Sequence, residues 1–279
     1  MTDLINDIAR ALDSGAVIPY MGPDMLGLCA SPQVPATPLA LAESMTAKVS
    51  VPHKIRKRLT QAAQFIENFK HRKSVVHLMN EAFAATPAPS KLQLALAASS
   101  ASLWVDTWYD DSFAAALKAT PGTWSQVQGL SQSEHFGDWT GAYAADGSLL
   151  PDHPAKAERL LYKPMGSHGP VGNYLVSDSD YVEVLTEIDI QTPIPAVVQE
   201  RRKGKGFLFL GCRFDDQLTR CFARQIMKRS SDRHWAVLPE EPTRMEARFL
   251  QEQNIARIAM PLAAFSESLI AAMQAEVTA

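Results

Sequence analysis

Ser102-Leu103-Trp104-Val105-Asp106-Thr107-Trp108-Tyr109-Asp110-Asp111 is the stretch from which the fold can be read. Leu103-Trp104-Val105 is a short apolar run of the kind that makes a buried strand, and the polar half leads into a helical pattern starting near Asp110. The same order recurs downstream. Strand-like runs sit at 159–163, 173–177, 206–211, 233–238 and 255–260, and helical patterns follow at 178–189, 215–228, 242–252 and 262–275. Strands alternating with helices of this length predict a doubly wound, mainly parallel, Rossmann-like α/β sheet covered on both faces.

Upstream, Leu4, Ile5, Ile8 and Leu12 repeat at helical spacing, and Ser14-Gly15 offers a natural helix stop. Ala16–Met21 reads as the first strand, although Pro19 lacks a ladder donor and argues against a central position. Gly22-Pro23-Asp24 is a turn, and 25–37 is a loop ending at Thr37 as N-cap and Pro38 as first helical residue. From 39 to 98 the pattern is helical: Ala62, Phe65, Ile66 and Phe69 share one face, Val75, Val76, Met79 and Phe83 another, and Ser90 caps a helix starting at Lys91. This is a helical module inserted between the first two strands. Residues 119–158, with Trp124, Trp139, Tyr143 and the turn Asp146-Gly147, read as an ordered insertion, and 159–279 as the second half of the sheet. The expectation is one domain over 1–279.

The chain has 279 residues, 46% of them hydrophobic, with 27 basic against 30 acidic side chains. That is enough apolar material for a sizeable core. The near balance of charge gives no composition argument for nucleic acid or an anionic membrane as partner. No apolar run approaches the ~20 residues of a membrane span, and Met1–Ser14 has the pattern of an amphipathic helix, not a leader. Cys29, Cys212 and Cys221 are odd in number and far apart, which implies no disulfide framework and fits a reducing, cytoplasmic location. The run Arg201–Lys205 reads as a solvated turn before a strand, and His234, opening a strand, as a structural histidine.

Five segments, in order, resemble the sirtuin-like (silent information regulator-like) family. Val17–Gly22 matches the lead-in to the family's Gly-Ala-Gly phosphate turn. Val105–Asp111 matches its Thr-Thr-Asn-Tyr-Asp element. Lys163, Gly166, Ser167, Asp180 and Tyr181 match the Lys-Leu-His-Gly-Ser stretch and the helix start after it, and Gly211 and Asp216 match Phe-x-Gly-Tyr-Ser-x-x-Asp. Arg233–Pro239 and Glu246–Ile258 match the closing strand–helix–strand. The resemblance implies NAD or a related nucleotide as ligand, facing Gly22, Asp24, Asp106, Trp108, Met165, Gly166, Gly211, Cys212 and Arg213. No Cys-x-x-Cys pair occurs, so the zinc ribbon of the deacylating sirtuins is not expected. The zinc-free form resembles the bacterial branch whose members hydrolyse NAD in defence and stress systems.

The departures fall on the chemistry. Trp108 takes the place of the family's asparagine, and an indole has one donor and no acceptor. Met165 takes the place of the ribose-facing histidine, and a thioether accepts no proton near neutral pH. His168, three residues on, is the candidate for a relocated base; an exposed loop histidine is the plainer reading. Pro23 and Asp24 replace the second half of the phosphate turn. A carboxylate ~4 Å from a pyrophosphate costs roughly 4 kcal/mol at an effective dielectric of about 20, nearly three decades of affinity. Cys212 and Arg213 stand where Tyr-Ser is usual. The leading expectation is therefore a degenerate site in a regulatory protein that binds a ligand, a protein partner or a second copy of itself, without ordinary deacylation or NAD cleavage. The alternative is an NAD-consuming hydrolase with a rebuilt site, in which His168 or Asp106 is the base, Trp108 stacks on the ligand and Arg213 offsets Asp24. A third reading is a scaffold that uses the aromatic-rich 119–145 region as its contact surface.

Overall fold

The structure is a computed structural model, and it describes residues 2–151, 159–187 and 193–277. In chain order the elements are α1 (Thr2–Asp13), β1 (Val17–Met21), a 3-10 turn (Pro23–Leu28), α2 (Pro38–Lys48), α3 (Leu59–Lys70), α4 (Arg72–Ala82), α5 (Lys91–Ala98), β2 (Leu103–Asp106), α6 (Ser112–Lys118), β3 (Trp124–Gly129), β4 (Thr140–Ala144), β5 (Leu149–Leu150), β6 (Arg159–Lys163), β7 (Gly166–Ser167), β8 (Asn173–Tyr174), α7 (Asp178–Glu187), α8 (Ala196–Arg202), β9 (Gly206–Leu210), α9 (Gln217–Met227), β10 (His234–Val237), α10 (Arg244–Glu252), β11 (Ile255–Ile258) and α11 (Leu262–Val277).

Among the described residues the main sheet has nine strands in the order β11-β10-β9-β1-β2-β6-β3-β4-β5. Every pair from β11 to β3 is parallel, and β4 and β5 close one edge antiparallel. This is the Rossmann-like α/β architecture that the alternation of strands and helices predicts. Side-chain alternation assigns the faces. Leu208 and Leu210 join Trp104 and Trp235 under α1, α5 and α11, while Phe207 and Phe209 join Tyr20 and Tyr162 under α8–α10. A third apolar cluster belongs to α2–α4 and takes in Trp108, Met165 and Tyr174 from the sheet side.

Local chemistry explains the element starts. The Thr37 hydroxyl accepts the Ala40 N–H at 3.1 Å with Pro38 at the first helical position, and Ser90 and Gln93 form a reciprocal capping box. Gly15, at φ +65°, ends the chain reversal after α1.

Three expectations are corrected, and one (the third below) is given a place in the sheet. Pro19 does lie in a central strand. Ala16 and Gly22 bond to β9 (Gly206 N–H to Ala16 O, Gly22 N–H to Leu210 O), whereas Met21 O faces β2 and accepts from Thr107. Odd-numbered residues therefore face β2, where pairing begins only at Tyr20–Val105, and the missing donor of Pro19 interrupts nothing on the β9 side. Second, residues 173–177 give only the two-residue β8, paired with β7 outside the main sheet; the apolar Leu175 and Val176 pack instead into the helical-module cluster. Third, the 119–158 region supplies the three strands β3–β5 of the main sheet (152–158 lie outside the described residues, as do 188–189 of the expected 178–189 helix). Fourth, Arg201 and Arg202 are buried in the last turn of α8, and Arg202 Nη1 donates to the carbonyls of Gln225 (2.7 Å) and Ile226 (2.9 Å) at the end of α9.

Candidate functional site

β1 has β2 and β6 on one side and β9 and β10 on the other, so the winding direction reverses between β1 and β9. In sheets of this type ligands bind at the carboxyl ends of the strands at such a switch point. The architecture brings Gly22 and Asp24 from β1 against Gly211, Cys212 and Arg213 from β9. On the other flank stand Asp106 and Trp108 after β2, and Met165 and Gly166 after β6.

The β1 turn is closed upon itself. The Gly22 N–H donates to Leu210 O at 2.9 Å, the Asp24 N–H to Gly211 O at 3.1 Å and the Met25 N–H to Gly22 O at 3.2 Å. Pro23 has no N–H to give. The glycine is required by close approach of the two turns: a Cβ on Gly22 would lie 2.4 Å from Gly211 O and 2.8 Å from Cys212 Sγ. Gly211, at φ +64°, would meet the Met25 nitrogen at 2.6 Å. What remains is a crevice of about 90 Å³ between Asp24, Cys212, Arg213, Leu238 and Glu240, against roughly 300–1,000 Å³ for small-ligand sites in general. Its donors are engaged, and two carboxyl groups, those of Asp24 and Glu240, stand at the rim.

The Arg213 guanidinium is committed within the protein. Its Nε and Nη2 each lie 3.1 Å from a Glu246 oxygen, and Nη1 lies 2.5 Å from Glu240 Oε2. Glu246, fully buried at the start of α10, also accepts the N–H groups of Thr243 (2.9 Å) and Phe214 (3.1 Å). Burial alone would raise the Glu246 carboxyl; Arg213, the two N–H groups and the Thr243 hydroxyl outweigh it and hold it at about 2, below the ordinary 4.5. A depressed carboxyl stabilises the fold above its unfolded pKa. That contribution, of order 3 kcal/mol, is fully present above pH 4.5 and is lost as pH falls towards 2. Urea midpoints measured from pH 6 to pH 2 are expected to fall more steeply for the wild type than for Glu246→Gln, and parallel curves would refute the assignment. The Cys212 thiol is buried, its Sγ 3.6 Å from Tyr20 O, and burial pushes it well above the ordinary thiol range. It is therefore no thiolate.

Across β1, Lys163 Nζ lies 2.7 Å from Asp106 Oδ2 and 2.7 Å from Asp110 O, and both side chains are buried. Burial pushes the Asp106 carboxyl up to about 6 against the pull of the Lys163 ammonium, which Asp106, Asp110 and Asp111 keep protonated despite burial. Asp106 Oδ1 accepts the Trp108 N–H at 3.1 Å and so fixes the turn that aims the indole. Trp108 is 4% exposed. Its Nε1–H donates to Pro35 O at 2.8 Å, and its ring packs against Phe83 and Tyr109 with centroids 5.9 and 5.0 Å apart. Met165 is buried in the same apolar cluster. Thus the two positions where the resemblance implies an amide and an imidazole both carry apolar packing. Gly166, at φ +80°, serves the β7–β8 hairpin, where a Cβ would sit 2.0 Å from Asn173 O.

His168 borders this cluster through Tyr109 and Tyr174. Its backbone N–H donates to Tyr109 O at 2.9 Å, and its Nδ1 lies 3.2 Å from the hydroxyl of Tyr174, which donates to Asn80 Oδ1 at 2.6 Å. His234 is structural, its Nδ1 accepting the Phe207 N–H at 3.0 Å. Glu246 and the Lys163–Asp106 pairing carry much of the local electrostatics. The first is visible in sequence as the N3 acid of Thr243-x-x-Glu246; the second has no local signature, since its partners lie on different strands.

A comparison with curated proteins returned no match. The family model for the SIR2-like domain, a nucleotide (NAD)-binding family, matches residues 102–258, which span β2 to β11 and include the switch-point residues of β9. By that match, over more than half of its length, the chain belongs to the SIR2-like family.

Proposed function

We propose that this chain is a regulatory member of the family with a degenerate dinucleotide site, acting by binding a ligand or a protein partner and not by deacylation or NAD cleavage. One observation carries the reading: the backbone donors of the β1 turn, which in a nucleotide site would face phosphate, all donate to the protein's own carbonyls. The burial of Trp108 and Met165 in one apolar cluster points the same way. The insertion presents Phe136, 94% exposed, and Leu149, 70% exposed, to a protein partner.

Titration with NAD, ADP-ribose and nicotinamide is expected to leave the melting curve unmoved. A ligand at 100 times its Kd would add about 2.7 kcal/mol, which such a melt resolves. Release of nicotinamide from NAD, abolished by His168→Ala or Asp106→Asn, would overturn the proposal in favour of a rebuilt NAD hydrolase. The observation favouring that second reading is the placement of Asp106 at the carboxyl end of β2, 2.7 Å from Lys163 Nζ, where burial raises its carboxyl into the range of acid–base work.

A further inference from the structure

The outer faces of α9 and α10 enclose a groove of about 400 Å³ that shares no lining residue with the crevice. α9 lines it with Arg220, Cys221 and Arg224, and α10 with Met245, Arg248 and Phe249. Among the described residues Glu252 is the one acidic side chain in the lining, 2.6 Å from Arg248 Nε and 3.5 Å from Arg224 Nη2. Three guanidinium groups against one carboxylate leave this concavity two charges positive (3 − 1 = 2), on a chain whose net charge is −3. Each guanidinium offers five N–H donors. Arg220 gives one to Phe214 O at 2.5 Å, and Glu252 takes only part of what the other two offer. Arginine forks match phosphate oxygens two at a time, where a lysine would act only as a point charge. Between them the lining is mixed: Gln217 is polar, Met245 is 49% exposed, and Arg224 lies over the buried Phe249 ring at 5.9 Å.

We propose that the α9–α10 groove binds a phosphate monoester carried on an apolar or aromatic body, a ligand of mononucleotide size. The volume falls within the roughly 300–1,000 Å³ of small-ligand sites. The arginines neutralise the two charges of the phosphate, and the Met245–Cys221 wall takes the body. This site does not depend on the state of the β1 turn, so it stands whether or not the crevice binds a dinucleotide.

Isothermal titration of the full chain with adenosine monophosphate and, separately, with inorganic phosphate tests it. The monophosphate is expected to bind at least ten times more tightly than inorganic phosphate, and to weaken with added salt. Arg248→Ala and Arg224→Ala are each expected to lower its affinity tenfold or more. Arg248→Gln, which keeps most of the side-chain volume and so the helix packing, is expected to do the same with an unchanged melting temperature. No monophosphate binding up to about 10 mM, binding that survives both alanine substitutions, or equal affinity for inorganic phosphate would each overturn the assignment.

Discussion

Arg72→Ala is expected to destabilise the protein by about 3–5 kcal/mol, the cost of leaving buried charge uncompensated. Arg72 opens α4 and is 9% exposed. Its Nη1 lies 2.9 Å from Asp180 and 3.4 Å from Glu67, its Nε 3.2 Å from Glu134, and its Nη2 donates to Tyr174 O. It therefore ties the helical module to α7 and to the loop between β3 and β4. Asp180 is fully enclosed and also accepts from Val176, Ser177 and Ser131. Without the guanidinium three carboxylates face one another, and Glu183, already raised by burial and by the nearby Asp180 and Glu67, stands beside them. Arg72→Lys keeps one charge and loses the fork, so an intermediate loss is expected. Equilibrium urea unfolding reads both, and a loss below about 1 kcal/mol for the alanine variant, the level of an exposed pair, would refute this account.

Trp108→Ala is expected to cost a similar amount, about 3–5 kcal/mol, because a large buried ring is removed from a packed cluster. The Nε1–H bond to Pro35 is lost as well, leaving that carbonyl without its donor. The informative variant is Trp108→Asn, which restores the amide that the family resemblance implies. Its stability is expected to fall, and nicotinamide release to stay at the level of the blank, because Met165 and the closed β1 turn remain. Urea unfolding and a nicotinamide assay on the same preparation check both halves. NAD cleavage gained by this single substitution would show that the indole alone had silenced the site.

The parallel half of the sheet was legible because its strands announce themselves: Leu103-Trp104-Val105, Leu160-Leu161-Tyr162 and Phe207-Leu208-Phe209 are apolar on both faces, as buried parallel strands must be. The antiparallel edge was not, because β3 reads Trp-Ser-Gln-Val-Gln-Gly. Gln126 and Gln128 look solvent-facing in sequence, yet both are buried and donate to the carbonyls of Gly169 (2.8 Å) and Val171 (2.9 Å). Polar side chains that are satisfied by a distant loop leave no periodic trace. At the crevice the departures at Asp24, Trp108 and Met165 could be read from single positions. The engagement of Arg213 by Glu246, 33 residues away, and of the Gly22 and Asp24 N–H groups by the carbonyls of Leu210 and Gly211 depended on long-range geometry that pattern alone does not carry.

The seal between the first strand's turn and its neighbour sets a threshold for any visitor. An anion seeking the three amides must first displace the carbonyls that hold them, two across that seal and one within the turn. At about 1 kcal/mol for each net bond the open form lies ~3 kcal/mol uphill, which weakens the observed affinity roughly 150-fold relative to a ready-made cradle. A mutation that loosened that latch would raise the affinity without adding a single contact to the guest.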